Sequence, residues 1–181
     1  MEGALDRRGS RITFQVHMTH KSVTFSRHRL SRQWDIRVAD QVAGEVVLRR
    51  TFQFRIPVRL GEGRIVIQRI LPRPLRTQAV HDLPSHARLA MFGPTLEQTA
   101  TASRHPDNRW TISVGEHSGE LSFPRRGTST GTISGKAGAG TVSASPDTIA
   151  ADLPARWTDE QSVFVAIAGF HAWLDSLPSA G

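Results

Sequence analysis

The stretch that decides the fold of this 181-residue chain is residues 158–178, TDEQSVFVAIAGFHAWLDSLP. Thr158 and Gln161 have the spacing of a capping box, in which each side chain binds the backbone N–H of the other residue. The two acidic residues after Thr158 suit the positive end of a helix dipole. With Pro178 as its end, the segment predicts a helix over about 159–176, about 27 Å long at 1.5 Å per residue.

The middle of the predicted helix, Val163 to Phe170, has no polar stripe. A helix that is apolar on every side is buried by protein or lies in a membrane, and a membrane span needs roughly 20 apolar residues. This apolar run has only eight. We therefore predict a helix enclosed by the rest of the protein, with the side chains of Phe164, Ile167 and Phe170 nearly inaccessible to solvent.

Most of the remaining chain alternates between apolar and polar residues, a pattern typical of strands with one buried face. Glycine-rich turns separate neighbouring segments and predict hairpins. Pro57 falls on the outward phase of one segment and cannot donate to a ladder, so we expect an edge or a bulge there. The predicted strands and hairpin arms are 11–18, 33–40, 52–60, 64–71, 109–114, 120–123, 131–134 and 140–143.

Short strands followed by one wholly apolar helix predict a mainly β fold, a closed antiparallel β-barrel that encloses a hydrophobic C-terminal helix. We expect a disordered tail over 1–10, a single barrel domain over 11–177 and a second tail over 178–181. The irregular, proline-containing stretch 71–85 does not divide the domain, because neither side of it shows a complete core. The rival interpretation is a hollow barrel that carries a small apolar ligand and leaves an amphipathic helix outside.

The composition excludes some classes of protein and indicates a class of partner. Cysteine is absent, which excludes a disulfide framework, a thiolate metal site and a cysteine nucleophile. The first residues are rich in polar and charged side chains, so we expect neither a secretory signal nor a transmembrane segment. The net charge is +7, but residues 1–90 carry +10 and residues 91–181 carry −3. This asymmetry favours a polyanionic partner. The ratio of 21 Arg to two Lys has another explanation, since it is typical of a GC-rich genome. We expect that genome to be bacterial.

Basic residues are densest over residues 49–76, which hold eight arginines and one acidic residue, Glu62. Arginines 55 and 59 share the outward phase of one predicted strand, and arginine 64 begins the strand across the hairpin. Guanidinium groups bind phosphate bidentately, so these residues form our candidate anion- and lipid-binding site. The alternative is a solvated charged surface that only keeps the protein soluble. The candidate residues are Arg49, Arg50, Arg55, Arg59 and Arg64.

No arrangement of residues in the sequence predicts catalysis. Gly127 to Gly131 match the G-x-S-x-G form around Ser129, but that motif needs a strand before it and a helix after it. The sequence that follows Ser129 is glycine-rich and β-like, and no paired carboxylates share an apolar face. We therefore expect no catalytic residue.

The eight histidines do not predict a metal site. His17 and His20 are three residues apart, which places them on opposite faces of a strand. His81 and His86 flank Asp82 in the irregular stretch, so only loop packing could bring them together. We expect His171 to be a histidine with satisfied hydrogen bonds, in the core or at the mouth of the barrel, rather than a catalyst. No metal and no cofactor are expected.

Three parts of the sequence look like parts of one known fold. Trp34–Asp40 with Gly44–Leu48 looks like a strand–turn–strand hairpin, and Trp110–Val114 with Gly119–Leu121 looks like its later counterpart. Asp159–Asp175 looks like a core helix. Together they resemble the tubby-like barrel superfamily, which includes the phospholipid scramblase-like and LURP-one-related proteins. The palmitoylated cysteine cluster of the scramblase family is missing.

The resemblance implies a closed barrel around a hydrophobic helix and a basic barrel face that binds phosphoinositide headgroups. We therefore expect a non-catalytic, scramblase-like or tubby-like module that associates with anionic phosphate groups, those of phospholipid headgroups, on the cytoplasmic side of a membrane. The alternative partner is a nucleic acid bound by the same arginines, although a recognition helix and paired aromatics on a basic strand are missing from the sequence.

Overall fold

The computed structural model describes residues 20–49, 53, 55–70, 88–107, 109–124, 128–136 and 138–177. Within these residues the chain forms twelve strands and one helix. In chain order they are β1 (His20–Arg27), β2 (Gln33–Val38), β3 (Gln41–Val47), β4 (Arg55–Leu60), β5 (Gly63–Ile70), β6 (Arg88–Phe92), β7 (Gln98–Arg104), β8 (Trp110–Val114), β9 (His117–Ser122), β10 (Thr130–Gly135), β11 (Gly140–Ala144), β12 (Thr148–Pro154) and α1 (Asp159–Ser176).

The strands form a closed antiparallel barrel, as the sequence predicts. Each strand pairs with the next one along the chain. The ring closes where β12 pairs with β1, in a register that runs from His20 opposite Pro154 to Ser26 opposite Thr148. Closure gives each described strand a neighbour on both sides, which avoids the exposed edge of an open sheet.

The helix α1 lies inside the barrel, and 13 of its 18 residues are buried. Phe164, Ile167 and Phe170 are at most 1 % exposed, which confirms the prediction for these three side chains. Phe170 packs edge-on against Trp34 of β2, with the ring centroids 5.7 Å apart. The interior that a hollow carrier would use for its ligand is therefore filled by the helix.

The predicted capping box begins α1. The Oγ1 atom of Thr158 accepts a hydrogen bond from the Gln161 N–H at 3.2 Å, and Gln161 Oε1 accepts one from the Thr158 N–H at 3.0 Å. Asp159, in the first turn, also pairs with Lys21 of β1 at 2.8 Å. The capping box satisfies the first turn of the helix, and the ion pair links its N-terminal end to the barrel.

Small residues allow α1 to approach one side of the barrel closely. Ala100 and Ala102 of β7 face inward and are buried, as is Ala151 of β12. A methyl group on Gly169 of α1 would overlap the side chain of Val142 on β11. Alanine contributes little to an apolar–polar alternation, which is why the sequence pattern did not reveal β7.

Most predicted segments correspond to observed strands. Segments 33–40 and 109–114 contain β2 and β8, segments 64–71 and 120–123 overlap β5 and β9, and the glycine-rich hairpin consists of β10 and β11. The predicted strand 52–60 corresponds to β4 from Arg55 onwards. The residues outside the described part of the chain are Phe52 and Phe54, the predicted strand 11–18, the whole stretch 71–85 with its three prolines, and both predicted tails.

The prediction of an edge at Pro57 is confirmed for one side of β4. The strand β4 pairs with β5 in a regular register over its whole length, but the ladder between β3 and β4 ends at Val46 opposite Val58, one residue before Pro57 would pair. Proline has no N–H to donate, so the two strands separate at this point within an otherwise closed ring.

Candidate anion-binding surface

Four of the five predicted anion-binding residues lie among the described residues, and all four are exposed: Arg49, Arg55, Arg59 and Arg64. Arg59 of β4 and Arg64 of β5 lie directly opposite each other in their hairpin. Arg55 lies four residues from Arg59 on the same strand, about 13 Å away at 3.3 Å per residue. We call these four residues the arginine surface. The fifth, Arg50, lies outside the described residues.

A row of apolar residues crosses the outer side of the barrel within the arginine surface. Pro57 of β4 lies opposite Val66 of β5, which in turn lies opposite Phe92 of β6. Val47, at the end of β3, is 39 % exposed and extends the row beyond Pro57. We call these four residues the apolar row. Along β4 and β5, it separates the Arg59–Arg64 pair from Arg55.

A groove of about 350 Å³ opens beside the apolar row. Its floor includes Val46 and Val58, the last pair of the β3–β4 ladder, and its rim includes Arg59 and Arg64. The groove exists because the two strands separate at Pro57, which uncovers one side of the ladder. It therefore places two guanidinium groups beside an apolar floor.

The arginine surface contains a carboxylate that the sequence analysis missed. Glu45 of β3 lies opposite Arg59, and Glu45 Oε1 is 2.8 Å from Arg59 Nη1. The side-chain amide of Gln33 donates a hydrogen bond to the other Glu45 oxygen. Asp35, Glu45, Arg59 and Arg64 thus form one cross-strand row, with two acids followed by two bases. Only the register of β3 against β4 reveals this pairing, because the two residues are 14 positions apart.

The far side of the barrel has an uncharged outer surface. In the ring, β10 and β11 lie opposite β4 and β5. Each outward-facing position of β8, β10 and β11 that alternates with a buried residue is Ser or Thr. These hydroxyl groups also bind one another, as Thr130 and Ser143 do at 2.9 Å. The barrel therefore has a cationic side and a neutral side.

A second charged cluster lies inside the barrel at the C-terminal end of α1. Arg69 of β5 and Arg104 of β7 fall on the inward phase of their strands, and both charges act on Asp175 of α1. Arg104 Nη1 lies 3.5 Å from Asp175 Oδ2. Two cations near this end complement the helix dipole, since the last turn of α1 has no basic residue. Although Arg69 belongs to the arginine-rich run, it does not contribute to the outer surface.

Burial shifts the ionisation of this inner cluster. It lowers the pKa of His171 to about 4, and the positive charge of Arg69 acts in the same direction. Burial also raises the pKa of Asp175, which the charges of Arg104 and Arg69 oppose. His171 is buried, but its Nε2 atom has no hydrogen-bond partner in the described part of the chain. The described residues therefore provide no partner for that nitrogen, and the expectation of satisfied hydrogen bonds stays a prediction.

Within the described residues, the fold gives the remaining predicted motifs no catalytic or metal-binding geometry. Ser129 is exposed and precedes the strand β10 rather than a helix. His20 contacts a single acid, Asp152, at 3.0 Å. In the part of the chain that the structure describes, no three His, Asp or Glu residues are grouped to hold a metal ion. Residues outside that part include His17, His81, Asp82 and His86.

No model of a known protein family, no curated protein and no solved structure matches this chain. Among the described residues, no helix combines the length and the hydropathy that a membrane crossing requires. The surface geometry and charge described above are therefore the basis for a functional proposal.

Proposed function

We propose that this protein is a non-catalytic barrel module that associates with the anionic phosphate groups of phospholipid headgroups. The observation that carries the proposal is the position of the Arg59–Arg64 pair beside the apolar row. Guanidinium groups bind phosphate oxygens in a planar, bidentate geometry. Exposed apolar side chains next to them favour the boundary between headgroups and acyl chains. This combination fits a membrane surface better than it fits an ion in free solution.

The expected attachment is reversible. Each basic residue close to an anionic membrane contributes about 1 kcal/mol, and salt screens that contribution over about 8 Å at physiological ionic strength. Four arginines can therefore support measurable attachment without an inserted anchor. The neutral side around β10 and β11 has no comparable attraction, so the barrel would bind with β4 and β5 facing the lipid.

The sequence resemblance supports the same proposal. In tubby-like proteins a basic barrel face binds phosphoinositide headgroups, and in this chain Arg55, Arg59 and Arg64 are exposed on the adjacent strands β4 and β5. We propose accordingly that the chain is a tubby-like or scramblase-like module that acts in the cytoplasm, at the inner face of the membrane. Anionic lipids give that leaflet its negative surface potential.

Co-sedimentation with vesicles of phosphatidylglycerol and phosphatidylcholine, across a salt series, tests the proposal. The parent protein should bind at low salt and dissociate as salt rises. Arg64→Glu should weaken binding, and Arg55→Glu combined with Arg64→Glu should weaken it further. Neither arginine side chain makes a hydrogen bond or ion pair among the described residues, so both variants should keep the fold.

The matched control is Lys136→Glu, which makes the same change in net charge on the opposite side of the barrel. Lys136 is exposed in the turn between β10 and β11. It should leave vesicle binding close to that of the parent. The proposal is overturned if the parent does not bind at low salt, or if Lys136→Glu and Arg64→Glu weaken binding equally. A gel-shift series with nucleic acid runs in parallel. Tighter binding there than to vesicles would favour the nucleic-acid alternative.

A further inference from the structure

We propose that Glu45 is an internal competitor for the arginine surface, so that an anion must displace its carboxylate from Arg59 before both guanidinium groups can bind. This inference rests on the proposed function, because it concerns the affinity of the same site. It identifies Glu45 as a residue that lowers this affinity, and it explains why Arg59 and Arg64 are not equivalent.

The geometry of Glu45 matches the geometry expected of a bound anion. Its Oε1 atom lies 2.8 Å from Arg59 Nη1, the usual distance for a charge-assisted hydrogen bond. The Gln33 side chain holds the other carboxylate oxygen, so the group is positioned from two sides. Gln33, Glu45 and Arg59 all line the groove. A carboxylate therefore already occupies part of the space where an incoming phosphate would meet Arg59.

Arg64, the arginine opposite Arg59, differs from it in its ion pairing. In the part of the chain that the structure describes, Arg64 makes no ion pair, and it lies directly opposite Arg59. An anion can thus contact Arg64 without breaking any existing interaction, whereas contact with Arg59 requires an exchange. The side chains of Arg59 and Glu45 are 56 % and 36 % exposed, so solvent and ligand can reach the pair.

Removal of the Glu45 charge tests the inference. The variant Glu45→Gln keeps the size of the side chain and its contact with Gln33, but frees the Arg59 guanidinium. It should bind anionic vesicles about five-fold more tightly than the parent, which corresponds to one additional basic contact at the membrane. The gain should disappear in an Arg59→Gln background, because the freed guanidinium is then absent.

Asp35→Asn is the matched control. Asp35 lies next to Glu45 in the same cross-strand row, but it pairs with His28 at 2.8 Å instead of with an arginine. The variant removes the same charge from the same side of the barrel, so it measures the effect of net charge alone. Thermal unfolding of each variant verifies that the fold is kept.

The outcomes separate the inference from the proposed function. A gain for Glu45→Gln that exceeds the gain for Asp35→Asn and depends on Arg59 supports the competitor. Equal gains for the two variants, with a parent that binds, overturn the competitor but leave the proposed function intact. If neither the parent nor Glu45→Gln binds vesicles at low salt, the proposed function fails and the competitor fails with it.

Discussion

At the end of β3, the side-chain amide of Gln53 makes the hydrogen bond to Val47 that a neighbouring strand would otherwise make. Gln53 Nε2 donates a hydrogen bond to the Val47 carbonyl oxygen at 3.1 Å, and Gln53 Oε1 accepts one from the Arg49 N–H at 2.7 Å. In the regular part of the ladder the Gly61 N–H donates to the Ala43 carbonyl at 2.8 Å.

In an antiparallel pair, the backbone hydrogen bonds between two strands recur every two residues. The N–H of residue 57 would therefore be the next donor, to the Val47 carbonyl oxygen. Residue 57 is a proline, and the amide of Gln53 supplies that donor instead. The bridge lies next to the groove and connects the end of β3 to the segment before β4. It therefore compensates locally for the separation of the two strands that opens the groove.

We expect Gln53→Ala to lower the free energy of unfolding by about 1–2 kcal/mol, the net contribution of two ordinary hydrogen bonds. The amide of Arg49 should also exchange its hydrogen faster, because it loses its acceptor. Denaturant unfolding and amide hydrogen exchange measure the two effects. The matched control is Gln68→Ala on β5, since the Gln68 side chain makes no hydrogen bond within the described residues. Unchanged exchange at Arg49 in Gln53→Ala would show that the bridge does not form.

Replacement of Phe170 by Ala should lower the free energy of unfolding by about 3–5 kcal/mol, the usual range for a large buried aromatic residue. Phe170 is 1 % exposed, and its ring contacts those of Trp34 and Trp173 at centroid distances of 5.7 and 5.8 Å. Phe92→Ala on the outer side of β6 makes the same chemical change at a half-buried position and should cost less. Equal losses for the two variants would contradict an enclosed helix.

Gly169→Ala should destabilise the protein, although the same change in an exposed helix stabilises it by about 1 kcal/mol. The added methyl group would overlap Val142, and such overpacking costs about 1–3 kcal/mol. Val142→Ala should relieve the overlap, so the double variant should lose less stability than the two single losses combined. Denaturant unfolding of all three variants gives the coupling free energy between positions 169 and 142. Strict additivity would show that Gly169 and Val142 are not in contact.

The stability of the protein should rise with pH between about 4 and 6.5 because of His171. Burial lowers its pKa in the folded state to about 4 from an ordinary 6.5, so between these values the unfolded chain binds a proton that the folded chain does not. Across the whole window the effect amounts to about 3 kcal/mol, at 1.36 kcal/mol per pKa unit. The raised pKa of Asp175 has the opposite effect, because at pH values above 3.8 it makes the free energy of unfolding fall as the pH rises.

A comparison of variants isolates the histidine from the carboxylate. His171→Leu should reduce the rise in stability between pH 4 and 6.5, because the titrating group is gone while Asp175 remains. His117→Gln, at an exposed position on β9, should leave the pH profile as in the parent. Urea unfolding at a series of pH values provides the measurement. A profile for His171→Leu identical to that of the parent would contradict a buried neutral imidazole.

Structural elements whose formation depends on residues close together in the sequence could be predicted from the sequence. The capping box of Thr158 and Gln161 and the apolar middle of α1 are local features, and a helix without a polar stripe in a chain of strands has few places other than the interior. Alternation revealed β2, β4 and β8 because their inward residues are large and apolar. The same signal failed for β7, where the buried inward residues Ala100 and Ala102 are small, and for β12, where the outward Ala150 is apolar as well.

The sequence by itself determined the helix, its burial, the antiparallel hairpins and the concentration of arginine in the first half, because each of these is a local pattern or a count. Strand phase also predicted that Arg55, Arg59 and Arg64 share a surface, whereas only the tertiary structure decided which acidic residue joins them. The register of β3 on β4 pairs Glu45 with Arg59, and the phase of β5 turns Arg69 inward while Arg64 stays exposed. Register and closure depend on contacts between distant residues, such as His20 with Pro154, and no local pattern encodes the partner of a strand.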